Sequence, residues 1–150
     1  MIVLAIDTAG VNGSVALCEC GAGALARDLE ILELVPLAGR TYSEQLMPQI
    51  SALLARHKLG KRAIDAYAAA TGPGSFTGLR VGLSTVKALA EITHKPIAAV
   101  SLLEALAWAS ARGVARLSEP GTVKHPFEAQ VIAALDARAE QGSSRRMTSG

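Results

Sequence analysis

The sequence is poor in aromatic side chains and in cysteine, which limits the kinds of protein it can be. Phe, Trp and Tyr make up only 3% of the 150 residues, although 50% are hydrophobic. The core must therefore be built from Ala, Leu, Val and Ile. Cys18 and Cys20 lie two apart on a predicted strand, which is poor geometry for a disulfide. Because Asp7 also interrupts the first apolar run, no signal peptide is evident, and we expect a reduced, cytoplasmic protein.

Strong net charge and long apolar runs are also missing. The formal net charge is only +2, and no basic patch interleaved with aromatic residues is evident, as a nucleic-acid binder usually has. No stretch approaches the roughly 20 apolar residues of a membrane-spanning helix. The composition therefore gives no support to a nucleic-acid-binding or membrane class. It is sufficient for one domain with a sizeable core.

What the sequence does contain is an unusual stretch, Ala70-Thr-Gly-Pro-Gly-Ser-Phe-Thr-Gly-Leu-Arg-Val-Gly82. It lies between an apolar run that predicts a strand and a helical pattern from Leu79 to about Thr93. Such a turn can bring backbone N–H groups close to an anion or another chain, because glycine has no Cβ to block the approach. It is not a Walker loop, and its spacing misses the dinucleotide fingerprint by one residue. A tight strand-to-helix corner is the simpler interpretation.

An anion bound at the start of this helix is the functional alternative. The candidate contacts to an anion or nucleotide are Asp7, Thr8, Gly74, Ser75, Thr77 and Arg80. Asp7 could also hold a metal, but such chemistry needs further carboxylates that converge on it. Asp65 begins its strand and should lie at the opposite end of the sheet, which leaves only Glu44. The histidines lack ligand spacing and no Ser/His/Asp grouping stands out, so we expect no metal, no cofactor and no catalytic residue.

The predicted elements are three strands followed by alternating helices and strands. The strands are expected at 1–6, 14–18, 24 to about 35, 65–70 and 95–100, and the helices at 44–57, 78 or 79 to about 93, and 102 to about 112. The third strand fits a short helix almost as well. The order β-β-β-α-β-α-β-α is that of an actin-like or ribonuclease-H-like α/β domain, a mixed sheet with helices on both sides.

Helix-breaking and helix-capping residues set the expected boundaries of the first helix. Pro36 and Gly39 should break the chain before it, Ser43 should be its N-cap, and Gly60 should end it. Pro48 should fall near the first turn, where a missing N–H matters little.

The pattern weakens beyond Gly113. We expect an N-terminal domain at residues 1–113, a linker and the first strand of a second, similar domain at 114–140, and a polar, disordered tail at 141–150. A strand that opens so late has nothing after it to pair against, which suggests a truncated chain.

The helix after the glycine-rich stretch carries a stripe of small residues. Gly78, Gly82 and Val86 lie one turn apart on it, and small residues let another helix approach closely. Apolar residues also spread around more of this helix than one buried face needs. Two interpretations fit equally: the helix is buried in its own domain, or it packs on its own core and on a partner's helix.

Taken together, these segments resemble the bacterial TsaB (YeaZ) family of tRNA threonylcarbamoyladenosine biosynthesis. The resemblance covers roughly residues 1–110 and rests on Ala5–Ala9, Ser14–Leu17, Ser43-Glu44 with Leu46 and Pro48, Asp65-Ala66, Ala70–Leu83 and Val100–Ala107. Ala134–Arg138 looks like the first strand of the family's second domain. Tyr42 stands where the family often has histidine, which favours a protein that binds no catalytic metal.

The resemblance implies a non-catalytic accessory subunit. It would form a heterodimer with the related catalytic subunit TsaD, which makes N6-threonylcarbamoyladenosine at position 37 of tRNA, and the ATPase TsaE would join the larger complex. A homodimer is an alternative, and tRNA would be contacted only indirectly. The implied interface lies on the first two helices; its candidates are Ser43, Leu46, Met47, Ile50, Gly78, Val81, Gly82, Thr85 and Val86.

A second function from another class also fits the residues. It is a small actin-like or ribonuclease-H-like enzyme that uses Asp7 with a bound nucleotide or metal. The name glycoprotease is sometimes given to this superfamily, but no protease constellation in the sequence supports it.

Overall fold

The computed structural model describes residues 1–21, 29–37 and 41–111. These residues form a sheet with helices, in the order of elements expected from the sequence. The elements are β1 (Ile2–Asp7), β2 (Gly13–Cys20), β3 (Leu29–Leu37), α1 (Tyr42–Arg56), a 3₁₀ turn (Lys61–Ala63), β4 (Ala66–Gly72), α2 (Phe76–Thr93), β5 (Ile97–Ser101) and α3 (Leu102–Ala111). The second domain predicted at 114–140 and the tail at 141–150 lie outside the described residues.

The sheet is mixed, and its strands are arranged in the order β3-β2-β1-β4-β5. β1 pairs antiparallel with β2 and parallel with β4, while β3 and β5 extend the sheet on either side. This confirms the predicted α/β class with a mixed sheet. Because β1 and β4 are parallel neighbours, their carboxyl ends meet at one edge. Asp7 and the turn after Gly72 are therefore brought to the same end of the sheet.

The two faces of the sheet differ in the size of their side chains. Large aliphatic side chains such as Leu4 and Ile6 pack with those of α1 and α2, including Ile50 and Val86. The opposite face carries mainly small side chains: Val3, Ala5, Ala16, Cys18 and Ala68. Alternation along each strand separates the two sets. The core is thus mainly branched aliphatic on one face, where Tyr42 and Tyr67 are also buried, and consists mainly of small side chains on the other.

The third strand is a strand and not a helix, and it continues through Pro36 to Leu37. Pro36 pairs with Ser14 of β2, so the prediction of a chain break at Pro36 is wrong. A proline lacks the N–H that a central strand must donate, but β3 lies at the edge of the sheet. Proline is tolerated in edge strands for this reason.

The first helix begins earlier than predicted, while its carboxyl end agrees with the predicted end at 57 to within one residue. It begins at Tyr42, so Ser43 lies inside it and Thr41 is the N-cap, without a side-chain capping hydrogen bond. Pro48 lies in the second turn, beyond the predicted position, where it lacks the N–H that would bond the carbonyl of Glu44. The C-cap is His57, three residues before the predicted stop at Gly60.

The other two helices have hydroxyl caps. α2 begins at Phe76, earlier than predicted, and the N–H of Gly78 donates to Ser75 Oγ at 3.3 Å. The N–H of Glu104 donates to Ser101 Oγ at 3.4 Å, which confirms the predicted cap of α3. Within the described ranges no helix combines the length and apolarity needed to cross a membrane.

Candidate functional site

A cleft of about 490 Å³ lies at the edge where the carboxyl ends of β1 and β4 meet. Its walls come from the turn after β1, the start of α1 and the start of α2. The lining residues are Ala9, Gly10, Val11, Tyr42, Ser43, Ser75, Thr77, Gly78 and Val81. Ligands of open α/β sheets bind outside the carboxyl ends of the strands. The fold therefore makes this cleft the candidate functional site.

The wall between β1 and α2 is a close backbone contact. Thr8 Oγ1 donates to the carbonyl oxygen of Gly78 at 2.7 Å, and the N–H of Ser75 donates to the carbonyl oxygen of Ala9 at 2.7 Å. A Cβ at Gly78 would overlap the carbonyl oxygen of Thr8, and a Cβ at Gly82 would overlap Thr8 Oγ1. The glycines therefore let α2 lie directly against the chain that follows β1.

This contact shows that the small residues of α2 pack against the chain itself. Gly78 and Gly82 face Thr8, and Val86 is 0% exposed in the core. Of the two interpretations of α2, the stripe therefore fits the helix buried in its own domain. The expectation that this stripe presents itself to a partner helix is corrected, since another backbone already occupies the space that the glycines leave.

Tyr42 forms the opposite wall and was not anticipated as a site residue. The single proton of its hydroxyl is shared between the carbonyl oxygens of Gly10 and Val11, both at 2.7 Å. A Cβ at Gly13 would lie 2.8 Å from the tyrosine ring, so the turn fits closely over it. Burial raises the pKa of Tyr42, and so does the nearby carboxylate of Asp7. The phenol therefore remains a protonated donor that fixes the turn. One hint of this role lay in the sequence, namely that tyrosine is rare in the chain, which has only two.

Asp7 is a buried carboxyl group behind the cleft. It is 8% exposed, and its Oδ1 accepts the N–H of Ala9 at 2.8 Å. Burial raises the pKa of Asp7, while this hydrogen bond acts in the opposite direction. Across the described ranges, no three His, Cys, Asp or Glu side chains lie together so that they could hold a metal ion. Asp65 Oδ2 accepts the N–H of Ile2 at 2.8 Å, at the other end of the sheet as expected.

The six predicted anion contacts are only partly brought together. Ser75 and Thr77 line the cleft, but Ser75 Oγ is engaged by its capping hydrogen bond and Thr8 Oγ1 by the bond described above. Gly74 packs against Ala9, and the guanidinium of Arg80 lies 4.4 Å from the centre of the Phe76 ring. Arg80 is not among the lining residues. Thr77 also lines the cleft. Among the described contacts its hydroxyl has no hydrogen bond to the chain, unlike those of Ser75 and Thr8.

The nine predicted interface residues divide into two groups. Those buried in the chain's own core are Leu46, Ile50, Gly78, Gly82 and Val86. A buried side chain offers no surface to a partner, so for these five the structure corrects the expectation. Of the other four, Ser43 is exposed, and Met47, Val81 and Thr85 are partly buried. Beside them, Val11 is 80% exposed and Phe76 is 69% exposed. Neither was among the nine predicted interface residues.

The sheet order and the order of elements define an α/β domain of the ribonuclease-H-like and actin-like class. RuvC of Thermus thermophilus shares this fold, with a TM-score of 0.60 and 15% identity over 96% of this chain and 97% of that one. The family model described as "TsaD: tRNA N6-adenosine threonylcarbamoyltransferase" matches residues 35–141. The chain belongs to this family, and its resemblance to the TsaB (YeaZ) proteins is confirmed by the relatives below.

Two relatives have the name expected from the sequence. "tRNA threonylcarbamoyladenosine biosynthesis protein TsaB" of Haemophilus influenzae is 35% identical over 141 residues, which are 94% of this chain and 51% of that protein. The solved structure of YeaZ from Pseudomonas aeruginosa has a TM-score of 0.62 and 31% identity, over 77% of this chain and 52% of that one. The chain thus spans about half the length of these relatives.

Proposed function

We propose that this chain acts in the biosynthesis of N6-threonylcarbamoyladenosine at position 37 of tRNA, as a non-catalytic accessory subunit that binds the catalytic subunit TsaD. The names of its relatives support the process. The observation that carries the accessory role is the cleft, where the hydroxyl groups of Tyr42 and Ser75 bind the chain's own backbone while the apolar side chains of Val11 and Phe76 lie exposed beside it. In this proposal the chain acts in the cytoplasm, and the ATPase TsaE joins the TsaD-bound complex.

The placement of proton-transfer groups supports a non-catalytic role. His57 and His94 follow the carboxyl-terminal ends of α1 and α2, whereas the cleft is built from the amino-terminal ends of these helices. His57 is bound to Glu33 at 2.8 Å. A nucleophile needs a base within hydrogen-bonding reach. Among the described residues around the cleft, Asp7 is the buried acid, and it is held by the backbone of Ala9.

A partner would bind the apolar surface beside the cleft, which we define as the rim surface: Val11, Met47, Phe76 and Val81. Val11 and Val81 line the same cleft. Met47 lies one turn after the cleft residue Ser43, so both share one face of α1. Val11 and Phe76 are exposed, whereas Met47 and Val81 are partly buried against the core. Exposed apolar side chains grouped beside a cleft are typical of an interaction site. The rim surface therefore fits a protein partner better than a charged small molecule.

TsaD is the partner that the family relationship favours. The family model that matches this chain describes TsaD itself, so the two proteins share a fold and would carry the same pair of helices. Two similar surfaces can associate about a pseudo-two-fold axis, as identical ones do in a dimer. The same argument makes a homodimer the competing assembly.

Co-purification with TsaD tests the proposal. We expect Val81→Glu and Met47→Glu each to weaken TsaD binding at least about tenfold, because each buries a charge in an apolar contact. Ala52→Glu is the control, since Ala52 is exposed and lies on the face of α1 roughly opposite to Ser43. The proposal fails if both rim variants bind TsaD like the unaltered chain. It also fails if the chain forms only a homodimer through this surface and TsaD does not displace it.

A further inference from the structure

A basic segment lies at the end of the domain opposite to the cleft. It spans residues 56–62, Arg-His-Lys-Leu-Gly-Lys-Arg, and follows α1 directly. α1 starts at the cleft, and this segment precedes the amino end of β4, whose carboxyl end borders the cleft. The segment holds a large share of the described basic residues, which are Arg56, Lys58, Lys61, Arg62, Arg80, Lys87 and Lys95.

The backbone of this segment is fixed, and its cationic side chains project into solvent. The N–H of Leu59 donates to the carbonyl oxygen of Leu54 at 2.9 Å, and Leu59 packs against the core. Ile64, which follows the 3₁₀ turn, is 1% exposed. Between these two anchors, Lys61 and Arg62 are exposed, as is the preceding Lys58. The three cations are therefore held at the surface by a short, anchored loop.

Only the first two residues of this segment, Arg56 and His57, are paired with an acidic side chain among the described residues. Glu33 binds Arg56 and His57, with its carboxylate oxygens 2.6 Å and 2.8 Å from their side-chain nitrogens. Within the described part of the chain, Lys58, Lys61 and Arg62 form no ion pair. The segment therefore has exposed cations without neighbouring Phe, Tyr or Trp, and it differs from the basic patch interleaved with aromatic residues that the sequence lacks.

We propose that Lys58, Lys61 and Arg62, the basic turn, contact the phosphodiester backbone of RNA. The choice of RNA as the polyanion, and of tRNA as the particular RNA, rests on the proposed function. Lysine and arginine neutralise phosphates and release their counterions, and this attraction is independent of sequence. Residues 56–62 contain no Phe, Tyr or Trp that could stack a base, and the imidazole of His57 is bound to Glu33 at 2.8 Å. The contact is therefore to the backbone.

The position of the basic turn lets it act together with the rim surface. One lies after the end of α1, and the other lies at the starts of α1 and α2. A protein partner on the rim surface would leave the basic turn open to RNA. This differs from the expectation that tRNA is contacted only indirectly, because it gives the chain a direct electrostatic contact of its own.

Fluorescence anisotropy with labelled tRNA, over a salt series, tests the inference on the 150-residue chain. The variant Lys58→Gln/Lys61→Gln/Arg62→Gln should bind tRNA roughly tenfold more weakly at low salt. The slope of log K against log salt should fall by about 2 units, since each lost phosphate contact contributes about 0.7–0.9. Arg62→Gln and Arg80→Gln are a matched pair, because both arginines are exposed but lie at opposite ends of the domain. Only Arg62→Gln should weaken binding.

Several outcomes would overturn the inference. They are an unaltered chain that does not bind tRNA at low salt, a triple variant with unchanged affinity and slope, and equal losses in Arg62→Gln and Arg80→Gln. Weakened binding to phosphatidylglycerol vesicles with unchanged tRNA binding would also overturn it. If the triple variant fails to fold, the matched single variants decide the question.

TsaD co-purification separates this inference from the proposed function. The triple variant should still co-purify with TsaD, while Val81→Glu should lose TsaD and keep its tRNA affinity. If the unaltered chain binds tRNA through the basic turn but never binds TsaD, the inference stands and the proposed function fails.

Discussion

The hydroxyl group of Thr8 donates a hydrogen bond of 2.7 Å to the carbonyl oxygen of Gly78 and joins the end of β1 to the first turn of α2. Thr8 is 2% exposed, so water does not compete for this bond. Its Oγ1 also occupies the space in which a Cβ on Gly82 would lie. The glycine-rich stretch is therefore a rigid corner inside one domain, and the small residues of α2 are required by the fold itself.

Substitution of Gly82 by alanine should destabilise the chain without any partner present. The new Cβ would overlap Thr8 Oγ1, and overpacking of this kind costs about 1–3 kcal/mol in the free energy of unfolding. Urea denaturation of the purified chain measures this cost. Gly60→Ala is the control, because no atom lies within 4 Å of a Cβ placed there.

A second variant shows whether Thr8 causes the loss. In the Thr8→Ala/Gly82→Ala double variant the overlapping hydroxyl is gone, so the two effects should couple and the double variant should be less destabilised than their sum. Strict additivity, or a Gly82→Ala chain as stable as the unaltered one, would contradict the packing described for α2.

Tyr42→Phe should loosen the turn that forms one wall of the cleft. The variant removes the hydroxyl that donates to the carbonyl oxygens of Gly10 and Val11, and a lost bond of this type costs about 1 kcal/mol. Urea denaturation should show this loss. Tyr67→Phe should cost less, because its hydroxyl meets Thr93 Oγ1 at the longer distance of 3.2 Å. Equal stability of Tyr42→Phe and the unaltered chain would exclude a structural role for the bond.

The sequence predicted the order of elements because apolar spacing depends on the chain's local geometry. Leu46, Ile50 and Leu53 recur at helical spacing and are all buried in α1. The position of Pro36 inside β3 was missed because it depends on which strand lies at the edge, and that is set by pairing with distant residues.

The candidate site was predicted less well for the same reason. Small residues at Gly78 and Gly82 allow close approach from any backbone, and spacing alone does not say whether Thr8 or a partner occupies the space. Tyr42 was missed because its contacts lie on a turn more than thirty residues earlier in the chain. The turn itself was located because its composition is unusual.

Glu33→Gln should remove a pH-dependent ion pair between Glu33 of β3 and Arg56 at the end of α1. The hydrogen bond from Arg56 is the main cause that holds the pKa of Glu33 below its ordinary value of 4.5. A carboxyl with a lowered folded-state pKa stabilises the fold above its unfolded pKa, and this contribution is lost as pH falls through the folded value. The unaltered chain should therefore exceed the variant in stability above pH 4.5, and the difference should vanish in acid.

Added salt and a substitution of the neighbouring Glu30 provide two controls for this ion pair. The ion pair is partly exposed, so added salt should reduce the difference at neutral pH. Glu30→Gln should cause no loss, because Glu30 faces Glu19 across the strands rather than a cation. A Glu33→Gln difference that persists at acid pH would show that the variant acts through packing instead of charge.

Asp7→Asn should raise the stability of the chain at neutral pH. Burial is the main cause that raises the pKa of Asp7 above its ordinary value of 3.8. An acid with a raised folded-state pKa holds its proton more strongly in the folded chain. The free energy of unfolding therefore falls as pH rises from the unfolded to the folded pKa. Asparagine keeps an acceptor for the N–H of Ala9 and carries no charge, so the variant should escape this loss.

The same variant distinguishes an accessory subunit from an enzyme that uses Asp7. Thermal unfolding of the unaltered chain and of Asp7→Asn should be followed against pH, with and without Mg-ATP. An accessory role predicts a more stable variant and no Mg-ATP shift in either chain. A cation or nucleotide held by Asp7 would instead raise the unfolding temperature of the unaltered chain alone, since a ligand stabilises only the state that binds it. That outcome would favour the nucleotide- or metal-dependent enzyme over the accessory subunit.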